Sequence, residues 1–183
     1  MTNSELAVLG LVVEQPRHGY QIERVIEERG MRRWTEIGFS SIYFLLKKLE
    51  RQKLIKGEWE KTEQGKERWV KVYRPTDEGR QVFHAAIIDV LSVPQPSPRP
   101  LMLGLANLPS LSTDEALMAL SQYNKELTEK TGLLRMVLES ELQSHPYFVN
   151  AMFELALKVM QAESEWVEIF TRQIQEQSQT KEE

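Results

Sequence analysis

Ser40-Ser41-Ile42-Tyr43-Phe44-Leu45-Leu46-Lys47-Lys48-Leu49-Glu50-Arg51 is the stretch that decides the fold, and Gln52-Lys53-Leu54-Ile55 follows it into a polar, tryptophan-bearing segment ending near Arg74. At about 100° per residue, Ile42, Leu45, Leu46 and Leu49 share one side of a helix, while Ser40, Tyr43, Phe44, Lys47 and Arg51 share the other. The first side is built for a core. The second offers hydroxyls, aromatic rings and cations, which suits Phe44 to a thymine methyl and Tyr43 to a phosphate.

Downstream the period changes from helical to alternating. Lys56, Glu58, Glu60 and Thr62 alternate with Ile55, Gly57, Trp59 and Lys61; after Gln64-Gly65-Lys66-Glu67, Trp69 and Tyr73 fall on one side and Val70 and Val72 on the other. Two such runs around a glycine turn predict a β-hairpin. Near its turn Lys66 and Arg68 are placed to track a phosphate backbone, and Gln64 to reach a base edge; pairing of those cations with Glu60, Glu63 and Glu67 is the alternative.

Upstream, residues 5–14 are apolar on nearly every side, as in an enclosed helix, with Asn3 or Ser4 as cap and Pro16 as stop. Residues 20–29 set Ile22, Val25 and Ile26 against Glu23, Arg24, Glu27 and Glu28, a second, amphipathic helix ending near Gly30. His18, beside a glycine at a helix start, reads as a cap or packing residue. A serine is the expected cap of the third helix, and Thr76, followed by Asp77 and Glu78, caps a fourth. The predicted order is helix, helix, helix, hairpin, helix. A short two-faced helix followed by a hairpin is the arrangement a winged helix-turn-helix places in the DNA major groove.

Charge agrees once it is divided. The 183 residues carry a formal net charge of −4, yet residues 1–91 hold 16 Lys or Arg against 14 Asp or Glu, and residues 92–183 hold 7 against 13. Between residues 47 and 56 stand Lys47, Lys48, Arg51, Lys53 and Lys56 against Glu50 alone. Phosphate affinity depends on such local cations, because a distant acidic half is screened over roughly 8 to 10 Å.

Cysteine is absent, which excludes disulfides and thiolate metal sites and fits a reducing interior. The longest apolar stretch, residues 6–13, is too short to span a bilayer, so the expectation is a soluble, cytoplasmic protein without a membrane partner. His84 and His145 have no ligand spacing to each other, and Glu139 with Glu141, like Glu163 with Glu165, sit two apart on a helix and diverge. No nucleophile motif or glycine-rich phosphate loop stands out, so no enzyme, metal or cofactor is expected.

Half of the eight prolines fall within residues 92–100. That composition favours an extended, semi-rigid form and marks the domain boundary: a winged unit over 1–91, a Pro-rich linker over 92–110 and a helical unit over 111–183. In the last, Thr113, Asp114 and Glu115 open a helix to about residue 143, His145-Pro146 breaks it, and another runs to about residue 177. Phe148, Met152, Leu155, Val159, Ala162, Trp166 and Ile169 alternate steps of four and three, a heptad seam; Leu120, Leu127, Leu134 and Leu138 form a weaker one interrupted by Asn124 and Thr131. Stripes this narrow imply a partner, most simply a second copy. Trp166 reads as core of that interface, with stacking of a small planar or aromatic effector as its other role.

The motifs His18-Gly19-Tyr20-Gln21, the helix from Ser41 to Glu50, the Leu54-Ile55 exit and Tyr73-Arg74-Pro75-Thr76-Asp77-Glu78-Gly79 resemble the PadR family of bacterial transcriptional regulators. The resemblance is specific over residues 4–91 and architectural beyond. It implies a mainly α fold with a small β wing and a long-helix dimerisation domain, in a homodimeric repressor of a palindromic operator on double-stranded DNA that is released by a small molecule. By family position Ser40, Ser41 and Tyr43 contact the phosphate backbone, and Lys47 and its neighbours Lys48 and Arg51 face the groove. Many members have proline after the tyrosine; Phe44 stands there here. The effector does not carry over. A different class of function, a winged-helix scaffold that binds protein partners without sequence-specific DNA binding, is the alternative.

Overall fold

A computed structural model of the chain describes residues 1–35, 37–38, 41–61, 69–94, 100–141 and 145–182, excepting the side chains of residues 33, 141 and 179–182. The chain divides into two compact units, Met1–Pro96 and Ser97–Glu183.

In the first unit the order is α1 (Asn3–Glu14), β1 (Arg17–His18), α2 (Gly19–Glu28), a single turn α3 (Arg32–Thr35), α4 (Ile42–Arg51), β2 (Ile55–Lys61), β3 (Trp69–Pro75) and α5 (Asp77–Ser92). α1 is enclosed, burying Val8, Leu9, Leu11 and Val12. Its cap is Thr2 rather than Asn3 or Ser4: the Glu5 N–H donates to the Thr2 hydroxyl at 3.2 Å while the Thr2 N–H donates to the Glu5 carboxylate at 2.9 Å. Two orphan amides are thereby satisfied reciprocally. His18 caps α2 in the same manner, its Nδ1 accepting from the Gln21 N–H at 3.3 Å.

Helices α2 and α4 end alike. At α2, Gly30 adopts φ +59° and the N–H groups of Gly30 and Met31 return to the carbonyls of Glu27 and Ile26. At α4 the left-handed position is Lys53, also at φ 59°, with the Lys53 and Leu54 N–H groups bonded to Glu50 and Leu49. This closure turns Leu54 inward against the last turn of α4. The Thr76 hydroxyl donates to the Lys53 carbonyl at 2.7 Å, so the non-glycine turn is held from the start of α5.

The sheet has order β1-β3-β2, all antiparallel. β1 is two residues long and lies outside the sequence expectation, being too short for alternation to show. The register of the hairpin sets Gly57 opposite Tyr73, Trp59 opposite Lys71 and Lys61 opposite Trp69. The core joins α1, α2, α4 and the sheet base through Val8, Leu9, Val12, Ile22, Ile26, Ile42, Leu46, Leu49 and Ile55.

Around this core, ion pairs tie the helices together. Glu14 accepts from Arg29 at 2.9 and 2.8 Å and from the buried Arg17 at 3.2 Å, while Arg17 also donates to the Leu11 carbonyl near the end of α1. The Arg29 hydrogen bonds, against the opposing pull of burial and aided by the Arg17 and Arg29 charges, hold the Glu14 carboxyl below its ordinary 4.5. A depressed folded value means that this contribution to stability is complete above about pH 4.5 and is lost as pH falls through the folded value. Glu14→Gln is therefore expected to lower the melting temperature near neutral pH and to flatten the acid limb. Thermal melts at stepped pH check this, and an acid limb parallel to that of the wild type would deny Glu14 the role.

The second unit contains α6 (Pro100–Ala106), a 3-10 turn (Leu108–Ser110), α7 (Thr113–Glu141) and α8 (Tyr147–Glu182). Residues 100–110, read from composition as linker, are thus helical in part; Pro100 begins α6, where a missing N–H costs nothing. Helices α7 and α8 form an antiparallel hairpin. Tyr123 donates to Glu163 at 2.9 Å, Asn124 to Glu168 at 3.2 Å, Ser164 to Asn124 at 2.5 Å and Thr131 to the Met160 sulfur at 3.8 Å. The polar interruptions of the α7 stripe are therefore its cross-helix bonds.

This pairing corrects the part assigned to Leu120, Leu127 and Leu134. Leu120 and Leu127 are buried and Leu134 half-buried within the chain's own hairpin, where α8 contributes Leu157 and Val167. Phe153, Leu157, Met160, Ser164, Val167 and Thr171 form a second stripe on α8, about 140° from the seam. Leu157 and Val167 are buried and the other four half-buried.

Candidate nucleic-acid interface

Helix α4 separates its faces as its periodicity demands. Ile42, Leu45, Leu46 and Leu49 are buried, whereas Tyr43 and Phe44 are 56% and 65% exposed and Lys47 and Arg51 lie open. Burying four aliphatic side chains at about 1.5 to 3 kcal/mol each fixes the rotation of the helix, so the outer residues are aimed by the inner ones. Among the described residues Lys47 and Arg51 make no ion pair.

The Tyr43 ring lies on the start of α2. A Cβ on Gly19 would fall 2.6 Å from its Cε1 and 3.2 Å from its hydroxyl oxygen, so only glycine allows the ring to settle there. Ser41 does not cap α4: its hydroxyl donates to the Gly38 carbonyl at 2.7 Å. Ser40 and the hairpin residues Gln64, Lys66 and Arg68 lie outside the described residues.

Lys48 is a correction. It is half-buried and its ammonium is paired with the carboxylate of Glu5, which is itself buried in α1. Burial alone would raise the Glu5 carboxyl, but the Lys48 hydrogen bond, the Thr2 N–H and the Lys48 charge hold it below its ordinary value. Lys48 thus secures α4 to α1 instead of facing a groove, and the cationic face contracts to Lys47 and Arg51.

Glu50 fixes the hairpin to α4. One carboxylate oxygen accepts the Gly57 N–H at 3.1 Å and the other accepts Lys71 at 2.7 Å, a hydrogen bond that raises the Lys71 ammonium above its ordinary value. A Cβ at Gly57 would meet the Glu50 carboxylate at 2.9 Å and the Tyr73 ring at 3.0 Å, which is why the position is glycine. Beyond this anchor, Trp59 and Trp69 are exposed on the strand face that carries Gly57, Lys61, Lys71 and Tyr73. Alternation in sequence places these tryptophans on one side of their strands, and the register adds that they share it with Lys61 and Lys71.

In the second unit the seam residues Phe148, Met152, Leu155, Val159, Trp166 and Ile169 are all exposed within one chain. Trp166 stacks on Phe170 at 5.0 Å. A cavity of about 310 Å³ lies among Leu101, Leu105, Val159, Ala162, Glu163 and Trp166. No helix among the described residues is long and apolar enough to cross a membrane, and none of their His, Asp and Glu side chains group in threes fit to hold a metal.

Three helices, an antiparallel wing and an outward aromatic and cationic face on the helix before that wing define the winged helix-turn-helix class of DNA-binding proteins. Residues 8–85 match the model of the PadR-like family of transcriptional regulators. The whole chain is similar to Bacillus subtilis PadR in complex with operator DNA, at 27% identity over 93% of this chain and 98% of that one with a TM-score of 0.74. It is similar to the same protein in complex with p-coumaric acid, at 25% identity over 94% and 99% with a TM-score of 0.75. It shares the fold of the PadR-like regulator BC1756 from Bacillus cereus, at 18% identity over 95% and 99% with a TM-score of 0.65. No curated protein matches it in sequence. The winged unit therefore carries, over residues 8–85, the domain of the PadR-like transcriptional regulators.

Proposed function

We propose that the protein is a homodimeric, cytoplasmic repressor that places the α4 helices of two copies in successive major grooves of a palindromic operator, about 34 to 36 Å apart. The observation that carries this reading is the outer face of α4, where Tyr43, Phe44, Lys47 and Arg51 stand exposed on a helix rotated by its buried side. The likeness to B. subtilis PadR with operator DNA supports it.

Lys47→Ala is expected to weaken binding to operator and random duplex alike and to reduce the slope of log affinity against log salt by about 1. Anisotropy titrations over a salt series measure this, and an unchanged slope removes Lys47 from the phosphate contacts. For the reading itself, equal and salt-insensitive affinity for the chain's own upstream DNA and for random DNA would be decisive against it, and would favour a protein-binding scaffold.

Release by a planar aromatic compound is the second half of the reading. It is supported by the cavity beside Trp166, which has the volume of a small-ligand site, and by the p-coumaric acid complex of B. subtilis PadR. Trp166 stands where the seam meets α6, so a ligand stacked there would act on the pairing of two copies. Adding phenolic acids and neutral planar compounds is expected to quench tryptophan emission and release operator DNA together. Release with Trp166→Leu as effective as with the wild type would remove Trp166 from the ligand's contacts.

A further inference from the structure

At about 100° per residue, the direction opposite the buried Ile42, Leu45, Leu46 and Leu49 is shared by Phe44, Lys47 and Arg51, each within about 30° of it. Tyr43 and Lys48 lie about 70° to either side of that direction. There the Tyr43 ring meets Gly19 of α2, and Lys48 meets Glu5 of α1. Glu50 is turned further still, to the Gly57 N–H and Lys71 of the hairpin. The crest of α4 is therefore a row of three side chains, of which Phe44 comes first and is 65% exposed.

A single exposed apolar residue is ordinary on a protein surface. This one heads a row whose other members, Lys47 and Arg51, make no ion pair among the described residues. It is also the third residue of α4, within the first turn, and the N-terminal residues of a recognition helix are those that meet base edges. Its ring has no polar atom with which to bond a phosphate or a base. Of the groups that line the major groove, all but one are hydrogen-bond donors or acceptors, and the exception is the methyl group of thymine. Against a donor or acceptor the ring would displace water and give no bond in return; against the methyl, both partners withdraw apolar surface from water.

We infer that Phe44 is a specificity-determining residue that reads a thymine, so that each half of the operator carries a thymine whose methyl group packs on the Phe44 ring. Many PadR-like regulators have proline at this position, and the contact is this chain's own. The inference rests on the DNA-binding reading above and adds to it the identity of a base. Being apolar, the contact contributes affinity without altering the salt slope, which belongs to the cations.

The test uses the full-length protein and three labelled duplexes: the region upstream of its own coding sequence, the same region with deoxyuridine in place of every thymidine, and a random sequence. Uracil lacks the methyl group and keeps every hydrogen-bonding group. The wild type is expected to bind the uracil duplex more weakly by about fourfold for each half-site, on the order of tenfold for two. In Phe44→Ala that penalty is expected to fall to about twofold or less, and a change of duplex shape on losing the methyls cancels because both proteins meet it. Replacing thymines singly then locates one sensitive position in each half-site. A last arm needs no variant: bromouracil, whose bromine stands in the place of the methyl, is set at that position, and irradiation is expected to crosslink it to the peptide that carries Phe44. Equal affinity of the wild type for the thymine and uracil duplexes overturns the inference. So does a penalty undiminished in Phe44→Ala, or a crosslink carried wholly by another segment, since another residue would then meet the methyl. If the wild type binds the upstream and random duplexes equally, the DNA-binding reading falls as well; if it prefers the upstream duplex and ignores the methyl, only this inference falls.

Discussion

Leu155→Glu is expected to leave a folded monomer whose operator affinity is lower by a factor of about 10² to 10⁴. Leu155 is 65% exposed in the middle of the seam, between Met152 and Val159. In a paired seam it would be a knob enclosed by the facing helix, and a carboxylate there would be buried without a partner, at a cost of several kcal/mol. Within the chain the same change costs little, because the α7–α8 hairpin is packed through Leu157 and Val167 on a different side of α8. Each monomer would then read one half-site without the gain of joint binding. Sedimentation, thermal melting and operator titration together check it. A variant that stays dimeric would move the interface away from the seam. Leu157→Glu is the contrasting change, since it should unfold the hairpin itself.

Gly79→Ala is expected to destabilise the first unit by about 3 kcal/mol. At an unencumbered helix position the same substitution stabilises by about 1 kcal/mol, so the sign is diagnostic. A Cβ at residue 79 would lie 1.9 Å from the Leu54 carbonyl oxygen and 2.8 Å from its carbon. That carbonyl cannot retreat freely, because it accepts the Thr76 N–H at 3.0 Å. The glycine of Thr76-Asp77-Glu78-Gly79 is therefore a contact between α5 and the exit of α4, not a break in the helix. Urea unfolding measures the change, and an equal or higher midpoint would refute the contact.

The particular residues show why some of this was legible in sequence and some was not. Residues 42–49 repeat with a helical period and residues 55–73 with a period of two, and local patterns of that kind survive into three dimensions because burial enforces them. Thr2 with Glu5 spells the capping-box spacing, but Asn3 and Ser4 are equally good cap types one and two positions on, so residue type alone does not single out Thr2. Lys48 is another matter. On a helical wheel it borders both faces, and its partner Glu5 stands 43 positions away, so no local pattern could assign it.

Only one of the two stripes on α8 is legible in sequence. The seam from Phe148 to Ile169 is wholly apolar and stood out, whereas the stripe that actually meets α7 includes Ser164 and Thr171 and reads as surface. Because that second stripe reads as surface, the pattern alone points Leu120 and Leu127 to a second copy, whereas both are buried within their own chain. The strand at Arg17–His18 is satisfied by β3, a partner about 55 residues downstream in the chain, and two residues carry no period. Proline content concealed α6 because the helix starts at the last of the four prolines and runs on through leucines.

The central claim is that two copies of the outer α4 face read one operator. Nuclease protection on the DNA upstream of the chain's own coding sequence tests it most directly. The account predicts two protected patches centred on the halves of a palindrome, about one helical turn apart, both lost together in Leu155→Glu at concentrations where the wild type protects fully. A single patch without symmetry, or protection that Leu155→Glu leaves intact, would contradict it.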